Sequence, residues 1–182
     1  MKLLLSLILF SSVSCSLFQR EPGRPPKIKG VPIPDNARIL YVQNVRNNTY
    51  GAGLHTRLTQ MIQEEIDRRG RFLSTRDKTK ATYRLYAEIV HYQKVGDLMD
   101  LADQHLSSEL FMVTRLELVE ANSGRKLALE RNEVPGRAHF STQLGYRESE
   151  EEAQNRLLRV TALRIAEESE RAWYYSLAGE VD

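Results

Sequence analysis

The stretch Leu110-Phe111-Met112-Val113-Thr114-Arg115-Leu116-Glu117-Leu118-Val119 decides the fold. Leu110, Met112, Thr114, Leu116 and Leu118 share one face, and Arg115 and Glu117 point the other way. Successive side chains of a strand alternate between faces, so this is a strand with one side buried and one side wet. Glu120-Ala121-Asn122-Ser123-Gly124 follows as a hairpin signal, and residues 125–134 read as the return strand. Upstream, residues 82–92 alternate Tyr83, Leu85, Ala87 and Ile89 against Arg84, Tyr86 and Glu88, which predicts a third strand of the same kind. Residues 94–108 show no clear period and read as a long loop, at most with a short helical turn.

Working outward, Leu54, Leu58, Met61, Ile62 and Ile66 recur at three- and four-residue steps. They predict a helix over residues 54–69 with Gly70 as its C-cap. Residues 38–46 form a first strand candidate, with Ile39, Tyr41 and Val45 on one face and Leu40 and Val42 on the other. The turn residues Asn47-Asn48-Thr49-Tyr50-Gly51-Ala52-Gly53 separate it from the helix. A last helix spans residues 148–174. Glu148, Glu150, Glu151 and Glu152 lie in its first turns, where they complement the helix dipole, and Leu158, Ala162, Ile165, Ser169 and Ala172 form its apolar face. The order β-α-β-β-β-α predicts an α+β two-layer sandwich: a mainly antiparallel four-stranded sheet with both helices on one face. Leu58, Ile62, Leu116 and Ile165 are its expected core, with Tyr83 and Trp173 helping to close the layer.

The chain begins Met1-Lys2-Leu3-Leu4-Leu5-Ser6-Leu7-Ile8-Leu9-Phe10, then Ser11-Ser12-Val13-Ser14-Cys15. One positive charge, a short apolar run and small residues make the layout of a secretory signal peptide. The run is too short for a transmembrane helix, which needs about 20 apolar residues. Cys15 is the only cysteine, so no intrachain disulfide forms, and its position resembles the lipidation site of bacterial lipoproteins, with Ser12 where leucine is usual. The expected organisation is a signal peptide over 1–14, a lipid-anchored proline-rich tether over 15–36, and one folded domain over 37–182. Five of the six prolines fall in the tether, which is therefore expected to be extended.

The chain carries 26 basic and 24 acidic residues, a balance that argues against a nucleic-acid binder. No catalytic constellation is legible, and the reading is that of a non-enzyme without metal or cofactor. His55, His91, His105 and His139 lack metal-ligand spacing, and Gly51-x-Gly53 lacks the third glycine of a dinucleotide loop. Asp97, Asp100 and Asp103 read as a solvated helical face rather than a cation cradle. One basic run stands out: Arg68, Arg69, Arg71, Arg76, Lys78 and Lys80, with Asp77 the only carboxylate among them. It reads either as solvated surface at a helix C-terminus or as a site for phosphate groups, which arginine grips bidentately. Arg71, Arg76, Lys78 and Lys80 are the candidate anion-binding residues, chosen on charge.

Several segments, taken in order, resemble one family. They are Asn47-Asn48-Thr49-Tyr50-Gly51-Ala52-Gly53-Leu54, Leu58-Thr59, Arg69-Gly70-Arg71-Phe72 and Ala81-Thr82-Tyr83-Arg84-Leu85. Ser123-Gly124-Arg125-Lys126-Leu127, Gly136-Arg137-Ala138-His139-Phe140 and Glu151-Glu152-Ala153 follow, before a helix that ends near Trp173. Over residues 36–175 this order resembles the lipopolysaccharide-assembly lipoproteins, the LptE family, with Ala81-Thr82 in place of the more usual Ala-Asp. The resemblance implies an outer-membrane lipoprotein, lipid-anchored on the periplasmic face. It would sit in the lumen of a large β-barrel, LptD, help that barrel assemble, and assist delivery of lipopolysaccharide to the outer leaflet. The alternative is a periplasmic adaptor resembling the penicillin-binding-protein activators or the curli-secretion lipoprotein, which would bind a peptidoglycan synthase or form a secretion assembly.

Overall fold

Two long strands make the middle of the sheet. In the computed structural model, which describes residues 25–99, 105–141 and 148–179 (backbone alone at 97–99 and 105–106), β6 (Tyr83–Met99) pairs antiparallel with β7 (His105–Glu120). The alternating faces hold as expected: Leu85, Ile89, Leu110, Met112, Thr114, Leu116 and Leu118 are buried. A register shift between Ile89 and His91 inserts Val90 as a bulge. The bulge moves the buried phase from odd to even positions, so Tyr92 is buried opposite Met112.

The loop expected over 94–108 is instead the continuation of this ladder, which runs from Lys94↔Leu110 to Met99↔His105. The reason is burial. Gln93, Lys94, Val95 and Gly96 are all exposed, so neither side of β6 is apolar there and no period of two appears. The solvated helical face expected for Asp97, Asp100 and Asp103 is corrected by the same finding at Asp97, which lies in β6; the other two fall outside the described residues.

The return strand also differs from expectation. After the turn at Gly124, the chain pairs with β7 through one isolated bridge, Val119↔Lys126, buries Leu127 and leaves the sheet. It pairs again as β8 (Glu133–Ser141), from Arg115↔Glu133 to Ser107↔Ser141. The detour is pinned by a buried carboxylate: Glu168 accepts the Arg131 backbone N–H at 2.7 Å. β8 is an outer edge, where Pro135 costs no ladder bond. Its outward carbonyls are covered from the last helix: Arg164 donates to Pro135 and Arg156 to His139, each at 2.6 Å.

On the other side of β6, the short strands β3 (Ile39–Val42) and β4 (Arg46–Asn47) run parallel to it, and β5 (Leu73–Ser74) adds to β3. The sheet order is β5-β3-β6-β7-β8 with β4 beside β6. The break at Gln43–Asn44 changes the phase of this segment. Val45, expected to share a face with Ile39 and Tyr41, is buried with Leu40 and Val42, its N–H held by the Thr59 hydroxyl at 2.9 Å.

The helices α1 (Leu54–Arg69) and α2 (Glu150–Ala178) cover one face of the sheet and touch each other. The α1 stripe buries Leu54, Leu58, Ile62 and Ile66, and Gly70 ends the helix in the left-handed conformation at φ +62°. The last helix starts at a capping box: Ser149 accepts the Glu152 N–H, and the Glu152 carboxylate takes the Ser149 N–H. The whole expected face of α2, from Leu158 to Ala172, is buried. Trp173 closes the bottom of the core, with its ring 4.8 Å from Phe72 and Phe72 in turn 6.5 Å from Tyr83. Between the helices, Arg69 grips Glu170 through two bonds of 2.9 Å and reaches Glu65 and Glu167 at 3.5 Å.

The stretch expected to be an extended tether is structured from Lys27 onward. β1 (Lys27–Ile28) and β2 (Val31–Pro32) form a small hairpin against α2, and Ile33 is buried.

Close packing of β8 under α2 sets a first test. A methyl at Gly136 would meet the Thr161 hydroxyl at 2.7 Å and a Leu157 methyl at 2.8 Å. Gly136→Ala is expected to cost about 1–3 kcal/mol, read as a lowered denaturation midpoint. Combined with Leu157→Ala, the loss should fall short of the two single losses added together by about 0.5–3 kcal/mol. Strict additivity would place the helix away from Gly136.

The helix clamp sets a second. Arg68's hydrogen bond, and then its charge, holds the Glu65 carboxyl below its ordinary value of 4.5. A carboxyl depressed in the folded state stabilises above its unfolded pKa, and that stabilisation is lost as pH falls through the folded value. The melting temperature should therefore drop on acidification below about pH 4.5, and Arg68→Gln should flatten that part of the profile. An unchanged acid profile in the variant would remove the pair from the account.

Candidate functional site

Topology gathers one end of the molecule. β3 and β6 are parallel, so both start there, and the 121–124 turn returns to it through the Ala121 N–H bond to the Thr82 carbonyl at 2.8 Å. The first helix runs back to this end and leads through Arg71 and Phe72 into β5, whose Leu73 pairs with Ile39. The last helix finishes there too: the Trp173 indole N–H donates to the Ala37 carbonyl at 3.0 Å. The β1–β2 hairpin precedes that carbonyl directly. This end thus holds the 71–80 loop, both helix C-termini and the place where the chain arrives from its N-terminal segment.

The basic run divides in two. Arg68 and Arg69 are structural, tied to Glu65 and to Glu65, Glu167 and Glu170 respectively. Glu170's hydrogen bond raises the Arg69 guanidinium pKa. Of the four candidate residues, Lys80 stands 3.7 Å from Asp77. Asp77 is itself held by Thr79, which donates its hydroxyl at 2.6 Å and its N–H at 2.9 Å; these bonds keep its carboxyl below the ordinary carboxylate range. Arg71, Arg76 and Lys78 are exposed, and no carboxylate among the described residues pairs with them. The loop is fastened by its backbone and short side chains: Ser74 donates to Asp67, Asp77 N–H to Thr75, and Thr75 N–H to the Leu40 carbonyl. Its long cations are left to solvent.

Lys27 and Lys29 join this surface, and the charge pattern did not single them out. Their signal lay in Ile28-Lys29-Gly30-Val31, two β-formers around a two-residue turn. Lys29 and Gly30 both take positive φ, +49° and +87°, as a tight hairpin turn requires. Lys27 and Lys29 are exposed, and Val31 beside them is 67% exposed.

The other candidates sit apart. Cys15 lies outside the described residues. His91 packs at a tilt against Phe111, ring centres 5.5 Å apart, on the uncovered face of the sheet, and no group of three potential metal ligands occurs among the described residues. Gly51 serves packing: a Cβ there would lie 2.3 Å from a Leu54 methyl. The turn before it is closed by Asn47, which accepts from the N–H and hydroxyl of Thr49 and donates to the Gly51 carbonyl. A shallow cavity of about 320 Å³ on the uncovered sheet face is lined by Asn44, Arg46, Tyr86, Glu88, Arg115 and Glu117. Three of its charges are already committed: Arg115 reaches Glu133 at 3.0 Å and Glu88 at 4.0 Å, and Glu117 takes Lys126 at 2.8 Å.

No family model matches the sequence, and no curated relative does. Several solved structures are similar in fold, among them bacterial lipoproteins. A hypothetical protein, CT253, of Chlamydia trachomatis is 10% identical, with a TM-score of 0.48 over 78% of this chain and 98% of that one. The uncharacterized lipoprotein B of Nitrosomonas europaea is 15% identical, with a TM-score of 0.47 over 79% and 87%. The lipoprotein GNA1162 of Neisseria meningitidis is 11% identical, with a TM-score of 0.44 over 71% and 99%.

Proposed function

We propose that this protein is an exported lipoprotein, cleaved before Cys15 and acylated there, that serves as an LptE-like subunit of an outer-membrane β-barrel delivering lipopolysaccharide to the outer leaflet. One observation carries the reading: among the described residues, both broad faces of the domain are polar and ion-paired. The sheet face that the helices leave uncovered carries Arg115–Glu133 at 3.0 Å, Lys126–Glu117 at 2.8 Å and Arg137–Glu109 at 3.4 Å. The helix face carries Arg68–Glu65, Arg156–Glu148 and Arg171–Glu130. A body that joins a partner through one patch concentrates apolar side chains there. A body enclosed by a barrel meets a lumen wall that is itself polar, and needs polar contacts all round. The apolar run before Cys15 and the lone thiol support export and anchoring. Each buried methylene of an acyl chain adds about 0.8 kcal/mol of attachment.

In this reading the protein binds and does not turn over a substrate. Arg71, Arg76, Lys78 and Lys80 offer their charges to the phosphate groups of lipids.

Two measurements test it. Intact-mass analysis of the membrane form should give a chain that begins at an acylated Cys15; a chain that keeps Met1 and carries no lipid would end the anchoring claim. Purification of the native lipoprotein in mild detergent should bring down one large outer-membrane β-barrel in a one-to-one complex. Recovery with a peptidoglycan synthase, or alone, would transfer the assignment to the adaptor alternative or dismiss both.

A further inference from the structure

The basic end of the domain is also its most apolar exposed end. Among the described residues, eight large apolar or aromatic side chains are at least 36% exposed, and five of them are Val31, Leu73, Tyr174, Tyr175 and Leu177. Val31 sits in the β1–β2 hairpin and Leu73 in β5. The other three lie in the last turns of α2, beyond Trp173, which docks on Ala37. These turns and the hairpin belong to the end just described. Lysine and arginine beside exposed tyrosine and aliphatic side chains make up a membrane-interface surface: the rings and methyls enter the headgroup layer and the cations meet phosphates.

Among the described residues, charge separates the two ends. At the basic end, Asp35 lies 3.8 Å from Arg38, Asp77 pairs with Lys80 and Glu120 lies 3.6 Å from Arg125. Asp67 takes the Ser74 hydroxyl. Lys27, Lys29, Arg71, Arg76 and Lys78 remain without a carboxylate among the described residues. The opposite end carries the acidic start of α2. There Glu148 and Glu150 find Arg156 and Lys94, Glu152 closes the capping box, and Glu151 is exposed. A body with this axial asymmetry turns its basic end toward an anionic surface.

Chain length brings that surface within reach. Nine residues separate Cys15 from Pro25, the first described residue. Even fully extended they span only roughly 35 Å, and the chain joins the domain at the basic end.

We propose that this end docks flat on the anionic headgroups of the bilayer that holds the anchor, with Lys27, Lys29, Arg76 and Lys78 on phosphates and Val31 and Leu177 in the interface. The inference rests on the anchoring part of the reading above and is independent of the barrel. Docking fixes the orientation of a domain that an anchor alone would leave free to tumble. Each basic residue near an anionic surface strengthens the attraction roughly fivefold.

The single tryptophan reports it. Trp173 is buried at the docking end and is the only tryptophan in the chain, so excitation at its red edge, beyond tyrosine absorption, selects it. The lipidated protein is reconstituted in phosphatidylcholine vesicles with or without phosphatidylglycerol, each containing dansyl-headgroup lipid. Where acylation is absent, the full chain is coupled through Cys15 to a maleimide lipid, so the anchor is constant either way. Energy transfer from Trp173 should be at least about twofold higher with phosphatidylglycerol. High salt on the unaltered protein, and separately the variant Lys27→Glu/Lys29→Glu/Arg76→Glu/Lys78→Glu, should return it to the phosphatidylcholine level while the melting curve stays in place. Equal transfer in both vesicles overturns the proposal. So does a variant that loses affinity for lipopolysaccharide micelles yet keeps full transfer on the vesicles, since that assigns the cations to lipopolysaccharide. No barrel is present in the assay, so a failure here leaves the barrel complex to its own test.

Discussion

The ladder between Tyr83–Met99 and His105–Glu120 sets the register against which the rest of the structure is aligned. A slip of one residue would turn to water either Leu85 and Ile89 of β6 or Leu110, Leu116 and Leu118 of β7, so the pairing is tightly specified. Each neighbour docks on it: β3 and β4 along one side of β6, β8 along the far side of β7, and α2 across the faces of β7 and β8. The Val90 bulge is part of the same constraint. Without it the buried phase set by Leu85 and Ile89 would bring His91, not Tyr92, beneath the helices. With it, Tyr92 is buried and its hydroxyl takes a hydrogen bond from Gln154 at 2.9 Å.

Packing against a ladder explains what the sequence could reveal. Where helices cover the sheet, one face must be apolar, and the alternation over residues 82–92 and 110–119 follows directly. The same holds for the stripes of α1 and α2, from Leu54 to Ile66 and from Leu158 to Ala172. On β6 the cover ends after Tyr92 and the period ends with it, while on β7 the buried position before Leu110 is Ser108, a polar residue that gives no apolar alternation to read. The return strand was misplaced for a related reason. Leu127 and Val134 are both buried, although seven positions apart they would fall on opposite faces of one continuous strand; the chain between them leaves the sheet to give the Arg131 N–H to Glu168. A contact across 37 positions has no local signature. Val45 changed face because the break at Gln43–Asn44 interrupts the count, and Thr59, a helix residue, holds it in place.

The candidate site was legible in part. The charge run marked the 71–80 loop, but only the fold separates Arg68 and Arg69, consumed by the helix clamp, from Arg71, Arg76 and Lys78, which face solvent. The placement of Lys27 and Lys29 at the same end as that loop follows from three long-range facts. β3 runs parallel to β6, α1 returns to the start of β3, and the hairpin packs on α2. Proline-rich composition pointed to a tether there, and composition alone cannot show that Ile28 and Ile33 fold back onto the core.

The helix dipoles sharpen the question of why the cations stand where they do. Both C-termini lie at the basic end, and each carries a partial negative charge that would repel an anionic surface. Arg68 and Arg69 occupy the last turn of α1, but they are spent on carboxylates; α2 has no basic residue in its last turn. The balance at this end therefore depends on cations from outside the helices, on the 71–80 loop and on the β1–β2 hairpin. Both segments are short, edge-placed and fixed by backbone bonds, so their lysines and arginines keep their freedom without loosening the core. That division, with the helices and the central ladder holding the body and peripheral turns holding the charge, lets this end carry unpaired cations at little cost in stability. It also leaves the polar, ion-paired flanks of the domain available to the barrel wall in the proposed assembly.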